Sequence, residues 1–226
     1  MSGADSKSTI IILAVVFVVT LLSMILHELM HGLTAYWLGD DTAKEEGRLT
    51  LNPLKHIDPF LTILLPLIMA ATGGPIFGGA KPVPFNPSRV RGGEWGAALV
   101  GIAGPLTNLV LAFIFYVVTA LLPAAIVQNP VGEIVYLFCL YGVQVNLGFF
   151  AFNILPLPPL DGSRLLYAVA PEPVQRFMDM MEQSLGLIVI FLIVLFASPI
   201  IGQLMQWIMQ GVLAGFNFIL SPLGIV

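Results

Sequence analysis

Residues 9–38 read TIIILAVVFVVTLLSMILHELMHGLTAYWL. No charged residue occurs from Thr9 to Leu26, and the apolar character resumes beyond a short polar cluster as far as Leu38. A helix of about 20 apolar residues crosses the hydrocarbon core of a bilayer. The segment is too long for a cleaved signal peptide and has no A-x-A site, so it predicts a first membrane span.

The composition of the whole chain points the same way. Of its 226 residues, 58% are hydrophobic and only 10% are charged, whereas a soluble domain carries about 25% charged residues. The single cysteine, Cys139, excludes a disulfide scaffold and is expected to pack within a span. The net charge of −4 and the lack of a basic run argue against a nucleic-acid partner. We therefore expect a polytopic membrane protein in contact with the lipid bilayer.

Further apolar segments predict an all-α bundle of about five to six transmembrane helices. They cover residues 97–122, 134–155, 185–201 and 203–220. In the last of them, Gln203, Gln206 and Gln210 fall near one helical face, which suits a span facing the bundle or an interfacial helix. We favour the span. The length fits a single domain over residues 1–226, with a core at 9–170 and C-terminal helices at 171–226.

Residues 60–80 are uncharged, but glycines and prolines break their second half, and the apolar part has the length of a re-entrant or interfacial segment. Basic residues flank it on both sides: Lys44, Arg48 and Lys55 before, Lys81, Arg89 and Arg91 after. Basic loops tend to stay cytoplasmic. We therefore expect a re-entrant or extended segment with both flanks in the cytoplasm, and an extracytoplasmic N-terminus.

The first span contains His27-Glu28-Leu29-Met30-His31, an H-E-x-x-H motif. Residues four apart share a helical face, so both imidazoles can reach one ion. Zinc suits two imidazoles and a carboxylate with one position left for water, whose pKa falls to about 7 on the metal. Glu28 is placed to take the proton of that water. The alternative is that the two histidines and the glutamate bind no metal. The energetics disfavour it, because inserting each ionisable group into the membrane within a span costs about 2.5–3.5 kcal/mol.

A third ligand must come from elsewhere, and the acids in or beside the later spans are few. Glu133 stands at a helix entry, and Asp161 follows the third predicted span in Asn153-Ile154-Leu155-Pro156-Leu157-Pro158-Pro159-Leu160-Asp161-Gly162. The prolines prevent regular helix there. Unwound backbone at membrane depth is tolerated where it is packed or lines a water cavity, which favours Asp161 as a ligand. A plain N-cap role for Asp161 is compatible with this interpretation.

Two further stretches carry a family resemblance together with these motifs: Gly104-Pro105-Leu106-Thr107-Asn108 and the segment from Gly79 to Pro87. With them, the chain resembles the site-2 protease family of intramembrane zinc metalloproteases. Residues 47–59 look like the short bacterial and archaeal members. The resemblance covers roughly residues 20–165. Residues 123–133 are too short to hold the PDZ-like insertion of the longer members.

The resemblance implies one zinc ion per chain bound by His27, His31 and Asp161, with Glu28 as the catalytic base. It also implies that Asn153 binds substrate or stabilises the oxyanion; an interhelical hydrogen bond is the alternative for this residue. Asn108 is interpreted mainly as a structural residue, with orientation of a zinc ligand as the second choice. A histidine in such a loop more often makes a structural hydrogen bond than acts as a gate or a metal ligand, and we interpret His56 in this way. Residues 81–84 are a candidate edge for pairing with an unfolded substrate strand.

The predicted activity is cleavage of the transmembrane helices of single-span membrane proteins in regulated intramembrane proteolysis. We place the protein in the cell membrane as a multi-pass protein, with its active site toward the cytoplasmic side. Two rivals remain, a metal transporter and a catalytically silent homologue acting as a membrane scaffold. A transporter usually needs a series of polar sites across the membrane, and a scaffold has no need of Glu28. The oligomeric state is open.

Overall fold

The computed structural model describes residues 3–64, 80–182 and 198–224, and no β-strand occurs among them. The helices are α1 (Gly3–Trp37), α2 (Thr42–Glu45), α3 (Gly93–Leu121), α4 (Ala124–Val127), α5 (Pro130–Asn153), α6 (Ser163–Val169), α7 (helical over 172–182) and α8 (Ser198–Leu220). Short 3-10 turns lie at Pro53–Lys55 and Ser221–Leu223, and a π-helical turn lies at Pro59–Leu64.

Four helices in the described ranges are long and apolar enough to cross a membrane. These are Ser8–Trp37, Gly93–Leu121, Pro130–Asn153 and Pro199–Leu223. They correspond to the first, second, third and fifth predicted spans, which confirms the all-α polytopic class. The fourth predicted span, residues 185–201, lies outside the described residues except at its end. Its last residues, 198–201, are helical and belong to α8.

The bundle is built around α1, α3 and α5, each of which contacts the other two. Its apolar core lies where Ala112 of α3 meets Val143 and Leu147 of α5 and Phe216 of α8. Gly142 on α5 faces the ring of Phe115, which a Cβ would approach to 2.6 Å. Such small residues bring the helix backbones close together. Close packing stabilises the association of membrane helices, because the surrounding lipid is as apolar as the side chains and the hydrophobic effect does not drive the helices together.

Helix α8 meets the bundle through apolar side chains, including Met209, Val212 and Leu213. The three glutamines of this helix are exposed in the part of the chain that is described. The glutamines are therefore not part of the core contacts of α8, while the predicted fifth span is confirmed as a helix long and apolar enough to cross a membrane. Apolar packing has determined which side of α8 meets the bundle.

The segment expected to re-enter the membrane is described only in part. Residues 59–64 form the π-helical turn, residues 65–79 are outside the described ranges, and the chain is extended and irregular over 80–86. The re-entrant path itself therefore stays a prediction.

Candidate metal centre

Helix α1 supplies both histidines and the glutamate of the motif. The helix is continuous through His27, Glu28 and His31, so the two imidazoles lie on one face with their ring centroids 4.7 Å apart. Both histidines are buried, at 7% and 8% exposure. The spacing expected from the sequence is therefore present in the structure.

The loop after α5 brings Asp161 to the same point. Its return is closed by the Gly162 N–H, which donates to the Asn153 carbonyl at 2.7 Å. The loop fits closely against α3 at Gly101, where a Cβ would lie 3.0 Å from the Asp161 carbonyl oxygen. The N-cap of α6 is Gly162 and makes no side-chain hydrogen bond, so Asp161 does not cap this helix. The other candidate acid, Glu133, is exposed in the first turn of α5.

The three predicted ligand atoms converge. The Nε2 atoms of His27 and His31 are 3.0 Å apart, and Asp161 Oδ2 lies 3.1 Å from the first and 3.4 Å from the second. Asp161 Oδ2 is buried without a hydrogen-bond partner. Ligands at about 2.0–2.2 Å from a tetrahedral zinc ion are about 3.3 Å apart. Two imidazoles and an orphaned carboxylate oxygen at this spacing fit such an ion, and this is the sole three-residue cluster of possible ligands within the described ranges.

The other nitrogen of each imidazole is held by α3. His31 Nδ1 donates to the Val100 carbonyl at 2.7 Å, and His27 Nδ1 lies 2.5 Å from Asn108 Oδ1. A carbonyl oxygen can only accept, so the neutral His31 ring presents the lone pair of Nε2 to the centre of the site. Asn108 is completely buried and also bonds to Asn146 of α5. Asn108 therefore makes the contacts expected of both alternative roles: a structural hydrogen bond across the bundle and a hydrogen bond to a predicted zinc ligand.

Gly104 of α3 lies directly against the histidine pair. A Cβ at this position would come within 2.3 Å of His31 Nε2 and 2.6 Å of His27 Nε2. These are the two nitrogens that face Asp161. The absence of a side chain at Gly104 thus leaves free the space in which an ion would contact its ligands.

Glu28 lies on the neighbouring face of α1 and meets the extended segment 80–86. The Val83 N–H donates to Glu28 Oε2 at 2.8 Å. Gly32, one turn further along α1, allows this approach, because a Cβ there would lie 2.9 Å from Val83 Cγ1 and 2.6 Å from Leu49 Cδ2. One carboxylate oxygen of the predicted base is therefore fixed by backbone, as preorganisation of a catalytic group requires.

Three buried polar residues from residues 40–56 hold segment 80–86 in place, two through their side chains and one through its backbone carbonyl. Arg48 Nη2 donates to the carbonyls of Lys81 and Pro82 at 2.7 and 3.3 Å. The Asn86 N–H donates to Asp40 Oδ2 at 2.6 Å. His56 Nε2 donates to the Thr50 carbonyl at 2.8 Å, and its own carbonyl accepts from the Lys81 N–H at 2.8 Å. His56 is thus a hydrogen-bonded loop histidine that holds the same segment.

The charge of Asp40 is stabilised by these contacts. Burial alone raises the pKa of its carboxyl, but hydrogen bonds from Thr42 and from the Asn86 N–H outweigh burial, and the pKa lies below its usual value. Asp40 is therefore an anion at neutral pH, which strengthens its hydrogen bond to segment 80–86.

Asn153 ends α5 within the same loop region. Its Nδ2 donates to the Phe149 carbonyl one turn back at 3.1 Å, so its role toward substrate stays a prediction. Sequence reasoning missed Ser23 and Asn146, which extend the hydrogen bonds of Asn108, and it missed the Val83 N–H. A buried asparagine in an apolar span signals an interhelical bond, but the sequence does not show which residue is its partner.

Comparison with known proteins decides the family. The chain is 42% identical over 214 residues to a Bacillus subtilis protein named "Putative zinc metalloprotease YwhC", covering 91% of this chain and 93% of that protein. It is 32% identical over 155 residues to "Putative zinc metalloprotease MJ0611" of Methanocaldococcus jannaschii, covering 67% and 70%. The chain belongs to the site-2 protease family of zinc metalloproteases.

A further relative of this family is "Putative zinc metalloprotease Rip2" of Mycobacterium tuberculosis, which is 31% identical over 179 residues, 79% of this chain and 65% of that protein. No family model and no solved structure matches the chain. Membership gives zinc as the cofactor and places the chain among protein-cleaving hydrolases. The roles of individual residues remain predictions, which the geometry at His27, His31 and Asp161 supports.

Proposed function

We propose that the protein is an intramembrane zinc endopeptidase that cleaves the transmembrane helices of single-span membrane proteins. The observation that carries the proposal is the position of the histidine pair and Gly104 within two apolar helices long enough to span a bilayer. His31 precedes Trp37 by about 9 Å along α1, at about 1.5 Å per residue. Trp37 is exposed at the helix end, as expected of a residue at the membrane interface.

In this proposal His27, His31 and Asp161 hold the ion, which when bound acts as a Lewis acid and lowers the pKa of water to about 7. Glu28 accepts the proton of the attacking water and returns it to the leaving amine. The Val83 N–H fixes one oxygen of Glu28, so the other oxygen is left for the reaction. Asn153 is the candidate amide donor to the developing oxyanion.

The proposed substrate is a single-span helix that unwinds locally, because helical hydrogen bonds bury the scissile carbonyl. Water must reach the site, and the loop between α5 and α6 is irregular backbone that lies against it. We propose that the site opens toward the cytoplasmic side, where the basic loops lie. A protease releasing a fragment there would act in regulated proteolysis.

Glu28→Gln tests this function with purified protein in detergent and a panel of single-span model substrates. Glutamine keeps the size and the acceptor for the Val83 N–H but cannot take a proton at neutral pH. We expect cleavage to fall by about 10²- to 10⁴-fold while bound zinc, measured on the same samples, stays at the wild-type amount. Glu46→Gln, a change at an exposed acid of the loop after α2, is the control and should cleave normally.

Two results would contradict the proposal. If zinc is bound but the wild type cleaves no member of the panel, the scaffold interpretation gains. If zinc crosses proteoliposome membranes at a rate that depends on His27 and Asp161, the transporter interpretation gains.

A further inference from the structure

Asn146 of α5 is joined to His27 by a row of hydrogen bonds that crosses three helices. His27 Nδ1 lies 2.5 Å from Asn108 Oδ1, and Asn108 Nδ2 donates to Asn146 Oδ1 at 2.8 Å. Asn146 Nδ2 donates in turn to Ser23 Oγ at 2.9 Å and to the Gly142 carbonyl at 2.8 Å. Ser23, Asn108 and Asn146 are all at most 2% exposed. We call these three residues the amide row.

The Gly142 carbonyl determines which atom donates and which accepts in each hydrogen bond of the amide row. The Gly142 carbonyl can only accept, so the amide nitrogen of Asn146 must face it and the amide oxygen must face Asn108. Asn108 must then turn its nitrogen to Asn146 and its oxygen to His27. An oxygen at that position requires a proton on His27 Nδ1, and the neutral ring then carries its lone pair on Nε2.

In both histidines the proton is on Nδ1 and the lone pair is on Nε2, but different groups hold the proton there. His31 Nδ1 faces a backbone carbonyl, which cannot turn around. His27 faces a side-chain amide, which can rotate by half a turn and present its nitrogen instead. A reversed Asn108 would favour a proton on His27 Nε2, directed at His31 Nε2 and Asp161 Oδ2, which lie 3.0 and 3.1 Å away. A ligand nitrogen must be free of its proton to bind a metal.

We propose that Asn146 is a positioning residue of the metal centre. It fixes the orientation of Asn108 and thereby keeps the Nε2 lone pair of His27 available to zinc, although it contacts neither the ring nor the site of the ion. The inference rests on the zinc centre and not on the nature of the substrate. It assigns a role to a residue that would otherwise be only a packing contact between α3 and α5.

The first test reads the tautomer of His27 in the wild-type protein, and variants serve only to assign its signals. The chain has three histidines, so ¹⁵N spectra of protein labelled on its histidine rings can be assigned by substituting them singly. In the zinc-loaded protein we expect the proton of His27 on Nδ1 and the metal on Nε2. A proton on Nε2 would overturn the proposal.

The second test compares zinc affinity among variants by competition with a chelator. Asn146→Leu should weaken zinc binding by about 10- to 100-fold, the usual effect of losing the partner of a metal-bound histidine. Ser23→Ala should change the affinity less than about threefold, because the Gly142 carbonyl still orients Asn146. Thr107→Val is the matched control: Thr107 adjoins Asn108, but its hydroxyl bonds only within α3, to the Ala103 carbonyl.

A double-variant comparison separates positioning from packing. If Asn146 acts through Asn108, Asn146→Leu adds little further loss of zinc affinity in a protein that already carries Asn108→Leu. Additive losses, or a wild-type zinc affinity in folded Asn146→Leu, would show that Asn146 only packs between the helices. Cleavage activity enters neither test, so failure of this inference is distinct from failure of the proposed function.

Discussion

Gly104 shows how one missing side chain leaves room at the candidate metal centre. The sequence predicts only that a glycine here lets two helices approach. In the structure, a Cβ on Gly104 would meet the Nε2 atoms of His27 and His31 at 2.6 and 2.3 Å. Because these are the atoms that face Asp161, the volume of a methyl group would displace the rings from the positions at which all three ligands meet.

Gly104→Ala should therefore reduce zinc affinity by about tenfold or more, since it disturbs two ligands at once. The matched control is Gly148→Ala on α5, where a Cβ meets nothing within 4 Å; this change should leave zinc affinity unaltered. Zinc is measured by chelator competition on purified, folded protein. An unchanged affinity in Gly104→Ala would mean that the ion does not lie between these rings.

The residues of the site differ in how far the sequence predicts them. His27 and His31 follow from helical spacing, whereas the choice of Asp161 over Glu133 rests on the proline-rich unwound segment and on the resemblance to the family. Asn146 could not be predicted in the same way, because its role depends on which face of α5 meets Asn108. That register is set by packing between helices, which the sequence of a single helix does not specify.

Segment 80–86 is the element that connects the loops at residues 40–56 with the predicted base. Its contacts come from side chains of residues 40–56 on one side and from Glu28 on the other. Extended backbone over 81–84 is predictable from its prolines, but its contact with Glu28 depends on long-range hydrogen bonds that no local pattern records. The segment's proposed pairing with a substrate strand remains a prediction.

Arg48→Lys tests whether this element positions Glu28. A lysine has a single ammonium on a flexible stem and cannot reproduce the position of the guanidinium beside two carbonyls, so segment 80–86 and its Val83 N–H should be held less firmly. We expect cleavage to fall by about 10- to 150-fold, equivalent to the roughly 1.5–3 kcal/mol of a hydrogen bond to a charged group. Zinc content should not change, because Arg48 contacts no ligand.

Lys55→Met is the control for Arg48→Lys, since it removes an exposed charge from the same loop. The two variants are compared by cleavage rate and zinc content in parallel. Loss of zinc together with activity in Arg48→Lys would show that the loop supports the metal centre itself. Full activity would show that the Val83 contact is dispensable.

The whole molecule has its basic residues near one end of the bundle, apart from Lys7. The end of α1 and the start of α3 adjoin loops with lysine or arginine, and Arg164 lies in α6, which follows the loop after α5. The connection from α3 to α5 has none. This pattern predicts the orientation that places the metal centre toward the cytoplasm. The alternation of α1, α3 and α5 across the bilayer requires the connection at 122–129 to lie on the opposite side.

Cysteine labelling tests this orientation in sealed vesicles. The native Cys139 is buried and can be replaced by alanine to give a silent background. Cysteines at Lys44 and Lys81 should react from the cytoplasmic side, and a cysteine at the exposed Gln128 should react from the other side. Labelling of Lys44 and Lys81 from opposite sides would contradict the topology and would mean that residues 60–80 cross the membrane.

The most direct test of intramembrane cleavage is the position of the cut. A single-span substrate is incubated with wild-type protein in liposomes, and the products are identified by mass spectrometry, with Glu28→Gln as the blank. We expect the broken peptide bond to lie within the apolar span of the substrate, in the half nearer the cytoplasm, because His31 is about 9 Å from the interfacial end of α1. Cleavage confined to residues outside the span would contradict the account.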